Sequence, residues 1–210
     1  MSRLKTFIVL SAIAAVGCLY FSCVSGGSPK ATEPLVLADF EKGEASGAFG
    51  SSWVAIDDTD PTNHGNSKAA VSMTDGADGS KYAVRLDYEH GPAYMYRFGL
   101  LKCDFPKVVD FSPYQALSFK IKGSGNKLKV HIGTSDISDF DYHEKVIYST
   151  PADWTEIVMT FTSFQQEGWG KSKPFIASHV LLLQFQTGSQ IAGEKGFITI
   201  DDVKLLPSVK

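Results

Sequence analysis

Cysteine is scarce: the 210 residues hold three, and two of them, Cys18 and Cys23, fall near the N-terminus. Only Cys103 lies further in, so no internal disulfide can staple the domain and its core must hold it. Without an obvious histidine partner, Cys103 reads as a small buried hydrophobe rather than a nucleophile. A basic excess is missing too. Twenty Lys and Arg against 23 Asp and Glu leave a net charge of −3, which argues against a nucleic-acid partner, since phosphates call for a basic stripe. No segment carries a long helical period and no repeat recurs, which excludes bundles and solenoids. Catalytic signatures are absent as well. There is no Gly-x-Ser-x-Gly elbow, and Gly123–Lys127 lacks the spacing of a phosphate loop. His64, His90, His131, His143 and His179 are scattered without the close pairs of a zinc site. Asp139 and Asp141 stand two apart, yet nothing locates a second carboxyl across a cleft. The expectation is a protein that is not an enzyme.

What is present begins with a targeting signal. MSRLK followed by TFIVLSAIAAVGCLYF is a basic n-region and an apolar run too short for a stable membrane span. Ala15-Val16-Gly17-Cys18 resembles a bacterial lipobox, with small residues ahead of a cysteine that becomes lipidated. The Leu, Tyr and Phe after Cys18 would sit badly in water, whereas Cys23 is followed by the tether-like Val24-Ser25-Gly26-Gly27-Ser28-Pro29. The expectation is export to a bacterial cell envelope, periplasmic or surface, with a membrane anchor on Cys23 and Cys18 as the alternative. Plain secretion, with both cysteines removed, is the competing reading. Residues 1–23 are then signal, 24–34 a flexible tether, and 35–207 one domain with a core of ordinary size.

That domain reads as strands. Tyr82, Val84, Leu86 and Tyr88 alternate with Ala83, Arg85 and Asp87; Leu117, Phe119 and Ile121 alternate with Ser118, Lys120 and Lys122. Leu128, Val130 and Ile132 turn inward, leaving Lys129, His131 and Gly133 outward, after the hairpin signal Gly123-Ser124-Gly125-Asn126. Tyr94–Phe98 is expected to be a strand, as are Trp154–Phe161, His179–Thr187 and Phe197–Leu205. Trp53 and Trp154 are expected in the core. Short strands bounded by turn signals predict an all-β, antiparallel β-sandwich or jelly roll.

The chain resembles the galactose-binding-like jelly rolls, specifically the family 11 carbohydrate-binding modules and the related complex I intermediate-associated protein 30 domain. The residues that carry this are Asp39-Phe40-Glu41, Trp53 with Asp58 and Gly65-Asn66-Ser67, and Tyr114–Gly123. Trp154 before Phe161 and Phe164, then Gln166–Gly170, and Ile200-Asp201-Asp202-Val203 complete the set. The resemblance implies a non-catalytic β-glucan-binding module, usually with structural calcium. Calcium takes six to eight oxygens; Asp39, Glu41 and Asp201, on terminal strands expected to pair, are the candidate ligands, with Asp202 as second choice.

Sugar binding needs aromatic faces for the apolar side of a pyranose and planar polar groups for its hydroxyls. The candidates are Tyr94, Tyr96, Arg97, His131, Asp141, Tyr142, Trp169, Gln184 and Gln186. The competing reading for Tyr94 and Tyr96 is core, and for Trp169 it is packing beneath its loop. A polysaccharide or glycan partner is therefore expected, with a protein-interaction or assembly domain as the alternative.

Overall fold

A computed structural model describes residues 30–207; the expected signal sequence, with Cys18 and Cys23, lies outside them. Among the described residues eleven strands form two antiparallel sheets. They are β1 (Leu35–Ala38), β2 (Ser52–Asp57), β3 (Lys68–Thr74), β4 (Ala83–Glu89), β5 (Phe98–Val109), β6 (Tyr114–Gly123), β7 (Leu128–Thr134), β8 (His143–Ile147), β9 (Thr155–Thr160), β10 (Val180–Gly188) and β11 (Lys195–Pro207). One sheet runs β3-β4-β11-β6-β9 with β1 added on β11; the other runs β2-β5-β10-β7-β8. The all-β antiparallel sandwich expected from the strand pattern is what forms.

The period-two residues make the core. Val84, Leu86, Leu117, Phe119, Ile121, Ile198 and Ile200 of the six-stranded sheet face Leu101, Leu128, Val130, Ile132, Leu183 and Phe185 of the five-stranded one, all fully buried. Phe119 meets Phe185 edge to face across the gap at 4.9 Å, and Trp53 sits 5.8 Å from Phe185. Each such side chain removed from water contributes about 1.5–3 kcal/mol. Cys103 is buried here, and desolvation pushes its thiol up to about 11.

The terminal strands do pair: Leu35 lies opposite Leu205 and Ala38 opposite Val203. A register shift in β11 near Asp202, whose φ is +52°, divides that strand. β4 lies along its first half and β1 along its second. The bulge thus lets one edge of β11 serve two partners.

Two expectations fail. Tyr94–Phe98 is not a strand: Met95 and Tyr96 form a turn, and the strand starts at Phe98 and runs to Val109. Trp154 is not in the core. It precedes β9 on the outer surface, half-buried under Lys122, whose Nζ lies 4.7 Å from the ring centre.

Candidate functional site

The outer face of the five-stranded sheet is set by strand register. Its outward side chains form rows across the strands. Leu100, Gln186, Lys129 and Val146 make one row, and Lys102, Gln184, His131 and Glu144 the next. One step towards the other end, Phe98 pairs with Gly188, and Lys127 precedes β7 beside them. Here lies a cleft of about 980 Å³, whose lining includes Tyr94, Tyr96, Phe98, Lys127, Trp169 and Gln186.

Its first wall is the turn before β5. Gly91 N–H donates to Ser67 Oγ (2.9 Å), which donates to the fully buried Asp58 (2.6 Å); Ala93 N–H donates to Asn66 Oδ1 (2.9 Å). Arg97 donates to the carbonyls of Gly91 (2.7 Å) and Gln190 (3.1 Å), tying this turn to the 188–191 loop. The Asp58 and Asn66-Ser67 residues of the resemblance thus anchor the turn that carries the tyrosines. Tyr94 and Tyr96 meet edge to face at 5.8 Å, with Tyr96 62% exposed.

The second wall is the Trp169 loop. Asp141 is buried, and its carboxylate accepts backbone N–H groups from Glu167 (3.1 Å), Gly168 (3.1 Å) and Gly170 (3.0 Å). Asp139 adds the Lys171 N–H at 2.7 Å, and Gln166 donates to the Asp141 carbonyl at 2.7 Å. Gly168, at φ +92°, makes the bend that an L side chain would strain. Trp169 stands out of this cage, 62% exposed, so it does not pack beneath its loop as the competing reading had it.

A polar relay joins the floor at Gln186 to the Trp169 wall. Gln184 Nε2 donates to Gln186 Oε1 (3.4 Å) and to His131 Nδ1 (3.0 Å). With Nδ1 accepting, His131 Nε2–H donates to Glu144 (3.0 Å). Lys129 bridges Glu144 (3.1 Å) and Glu167, and Trp169 Nε1 donates to Glu167 at 3.3 Å. Burial pushes Glu144 upward, but the hydrogen bonds from His131 and Lys129 outweigh it and hold the carboxyl below its ordinary range. Desolvation lowers Lys129, yet its bonds to Glu167 and Glu144 prevail and raise it. The buried part of this network, Gln184, His131 and the largely buried Glu144, is fully connected, which fixes its members in place.

Five of the nine expected sugar contacts therefore meet in the cleft: Tyr94, Tyr96, Arg97, Trp169 and Gln186. His131 and Gln184 are buried in the relay below it. Asp141 is spent on the loop, because its oxygens are already taken by backbone donors. Tyr142 lies outside the lining, half-buried over Gly133. Lys127, Lys129, Glu167 and Glu194 join the cleft unforeseen; the outward parity of Lys127 and Lys129 was the available signal.

The three expected calcium ligands come together only in part. Glu41 accepts from Ser80 Oγ and from Lys81 N–H at 3.0 Å, while the fully buried Asp201 accepts from Ala77 N–H (2.9 Å) and Asp202 N–H (2.7 Å). Both carboxylates bear on Ser80; burial is the main influence on Asp201 and raises its pKa. Asp39 is exposed and accepts from its own turn at Glu41 N–H. Among the described residues no group of three or more metal-binding side chains assembles.

Residues 39–196 match the model of the Complex I intermediate-associated protein 30 (CIA30) family. Endoglucanase 3 of Fibrobacter succinogenes is 28% identical over 174 residues, covering 72% of this chain; the chain spans 24% of that relative's length. Among solved structures, the family 11 carbohydrate-binding module from Clostridium thermocellum, in complex with a β-1,3-1,4-mixed-linked tetrasaccharide, superposes with a TM-score of 0.60 at 17% identity. It covers 86% of this chain and 99% of that one. A Caldicellulosiruptor saccharolyticus module, CBM27-1 in complex with mannohexaose, gives 0.51 at 22% identity over 86% of this chain and 100% of that one. These likenesses establish a fold shared with carbohydrate-binding modules.

Proposed function

Because the chain belongs to the Complex I intermediate-associated protein 30 family, and shares its fold with carbohydrate-binding modules, we propose that it binds a polysaccharide without transforming it. The observation that carries this is the open aromatic cleft, where Tyr94, Tyr96 and Trp169 stand over a floor that presents Gln186. Aromatic rings stack on the apolar face of a pyranose, and amide and charged groups take its hydroxyls. Arg97, Lys127 and Lys129 share the lining with Glu167 and Glu194. That near balance of charge suits a neutral β-glucan-like chain. Glu167 is paired with Lys129, and Glu194 accepts from Asn126. Neither stands free as the opposed acid and base of a glycosidase.

The test is affinity electrophoresis and a glycan array with the domain 35–207. Retardation by mixed-linkage β-glucan or mannan supports the reading, and no retention by any glycan overturns it. Ile191, 67% exposed in the cleft lining, and Met95, 59% exposed on the turn between the two tyrosines, favour a second reading, a protein-docking surface. Absent glycan binding, together with a purified protein partner whose binding is lost in Ile191→Asp, would select it.

Two further expectations belong with this proposal. A structural calcium ion would be held by Glu41 and Asp201 near Ser80; a lower melting temperature in EDTA supports it, and an unchanged one overturns it. Export with a lipid anchor on Cys23 is tested by radiolabelled palmitate incorporation, lost in Cys23→Ser. Loss in Cys18→Ser alone would move the anchor to the alternative site.

A further inference from the structure

We propose that Tyr148 forms an additional sugar subsite, one strand beyond the cleft, so that the bound polysaccharide crosses the strands towards the β8 edge. This rests on the glycan-binding reading and adds a direction and a length to it.

The argument comes from register. Phe98 pairs with Gly188; Leu128 pairs with Thr187 on one side and Ile147 on the other. One residue further, Lys127 falls beside Gly188, and Tyr148 beside Lys127. All four positions share the parity of the outward residues on their strands: Leu100 on β5, Gln186 on β10, Lys129 on β7 and Val146 on β8. Phe98, Gly188 and Lys127 line the cleft. Tyr148, the first residue after β8 ends at Ile147, is the next position in that row.

Its backbone is fixed there. Ser149 Oγ donates to the Gly125 carbonyl (3.1 Å), Thr150 N–H donates to the Asn126 carbonyl (3.0 Å), and Gly125 N–H donates to Thr150 Oγ1 (3.0 Å). These bonds clamp residues 149–150 to the hairpin that carries Lys127. Tyr148 is nonetheless 83% exposed, more than any other large hydrophobic among the described residues. A ring carried beside a tethered backbone, with no internal packing, leaves its face open to stack on a sugar. Three strand spacings separate β5 from β8, about 14 Å, a distance that a linear chain of several sugars crosses and a single ring does not.

The experiment is calorimetric titration of the domain 35–207 with tetrasaccharides and hexasaccharides of mixed-linkage β-glucan and of mannan, comparing wild type, Tyr148→Ala and Tyr148→Phe. The wild type is expected to gain affinity from four to six sugars. Tyr148→Ala should lose about 2- to 10-fold on the hexasaccharide, the range of one aromatic contact, and little on the tetrasaccharide. Tyr148→Phe should retain the gain, because stacking needs the ring and not its hydroxyl. An equal effect on both lengths, or none on the hexasaccharide, overturns the subsite and leaves the cleft standing. If the wild type binds neither series, the glycan reading falls and the subsite with it. Because Tyr148 contributes no packing, an unchanged melting temperature separates lost binding from lost fold.

Discussion

The two outer faces of the sandwich use the same residue types in opposite ways. On the six-stranded sheet two outward rings have a cation laid over them: Arg85 lies 3.8 Å from the centre of Phe197, and Lys122 lies 4.7 Å from that of Trp154. The charges there are paired as well. Arg85 bridges Asp87, and Lys120 reaches both Asp78 (3.1 Å) and Asp202 (3.0 Å). On the five-stranded sheet the pairing runs from the buried Gln184 and His131 through Glu144 and Lys129 to Glu167 at the surface, and the rings of Tyr96 and Trp169 are left open. A face whose aromatics and charges satisfy one another has nothing to offer a ligand. A face whose polar groups are satisfied underneath, with its rings bare, is pre-organised for one.

The largest break in this contrast should come from Asp141. Its carboxylate holds three backbone N–H groups in a buried position, and hydrogen bonds to a charged acceptor are each worth roughly 1.5–3 kcal/mol. Asp141→Ala should destabilise the domain by about 3 kcal/mol or more and release the Trp169 loop, read as a lower melting temperature and lost retardation in a polysaccharide gel. Retained affinity would show that the loop needs no cage. Next in size, Trp169→Ala and Tyr96→Ala should each weaken binding roughly 10-fold. Their melting temperatures should hold, because both rings are exposed. Trp154→Ala, on the other face, should leave binding unchanged; a loss there would mean that the ligand lies on the wrong sheet. Arg85→Gln sharpens the same point: about 0.5–1 kcal/mol of stability lost with the cation–π contact, and affinity intact.

How much of this was readable in advance follows the range of each interaction. The inward residues of β4, β6 and β7 announced themselves, since period two is local and one face is buried. The pairing of β1 with β11 followed from their places at the ends of the domain. Tyr94, Tyr96 and Phe98 showed the same period, yet Tyr94 and Tyr96 belong to a turn, because Asp58, Asn66 and Ser67 hold residues 91 and 93 from more than twenty positions away. β5 was overlooked between Gly99 and Val109: Pro106 and a register shift near its end break the alternation. Asp141 looked like a sugar ligand because it is a carboxylate in an aromatic loop. Its real acceptance, from N–H groups 26–29 residues downstream, exists only in the fold. Tyr148 carries no signal in the sequence, since its parity has meaning only once the register of β8 on β7 is known.

The smallest expected effect concerns pH and the relay. Glu144 has a folded-state pKa below its ordinary value of 4.5, the bonds from His131 and Lys129 outweighing the upward push of burial. A depressed carboxylate contributes stability that is fully present above its unfolded value and is lost as pH falls through the folded one. Binding should therefore be flat from neutral pH down to about 5 and weaken only below 4.5, as Glu144 takes a proton and releases Lys129. Glu144→Gln should reproduce a modest loss of affinity at neutral pH and flatten the acid limb, because a neutral amide cannot pair with Lys129 at any pH. Affinity electrophoresis of both proteins across that range is the measurement. An acid limb that persists unchanged in Glu144→Gln would show that it does not arise at Glu144. The relay would then be a structural brace with no part in how the open face holds its ligand.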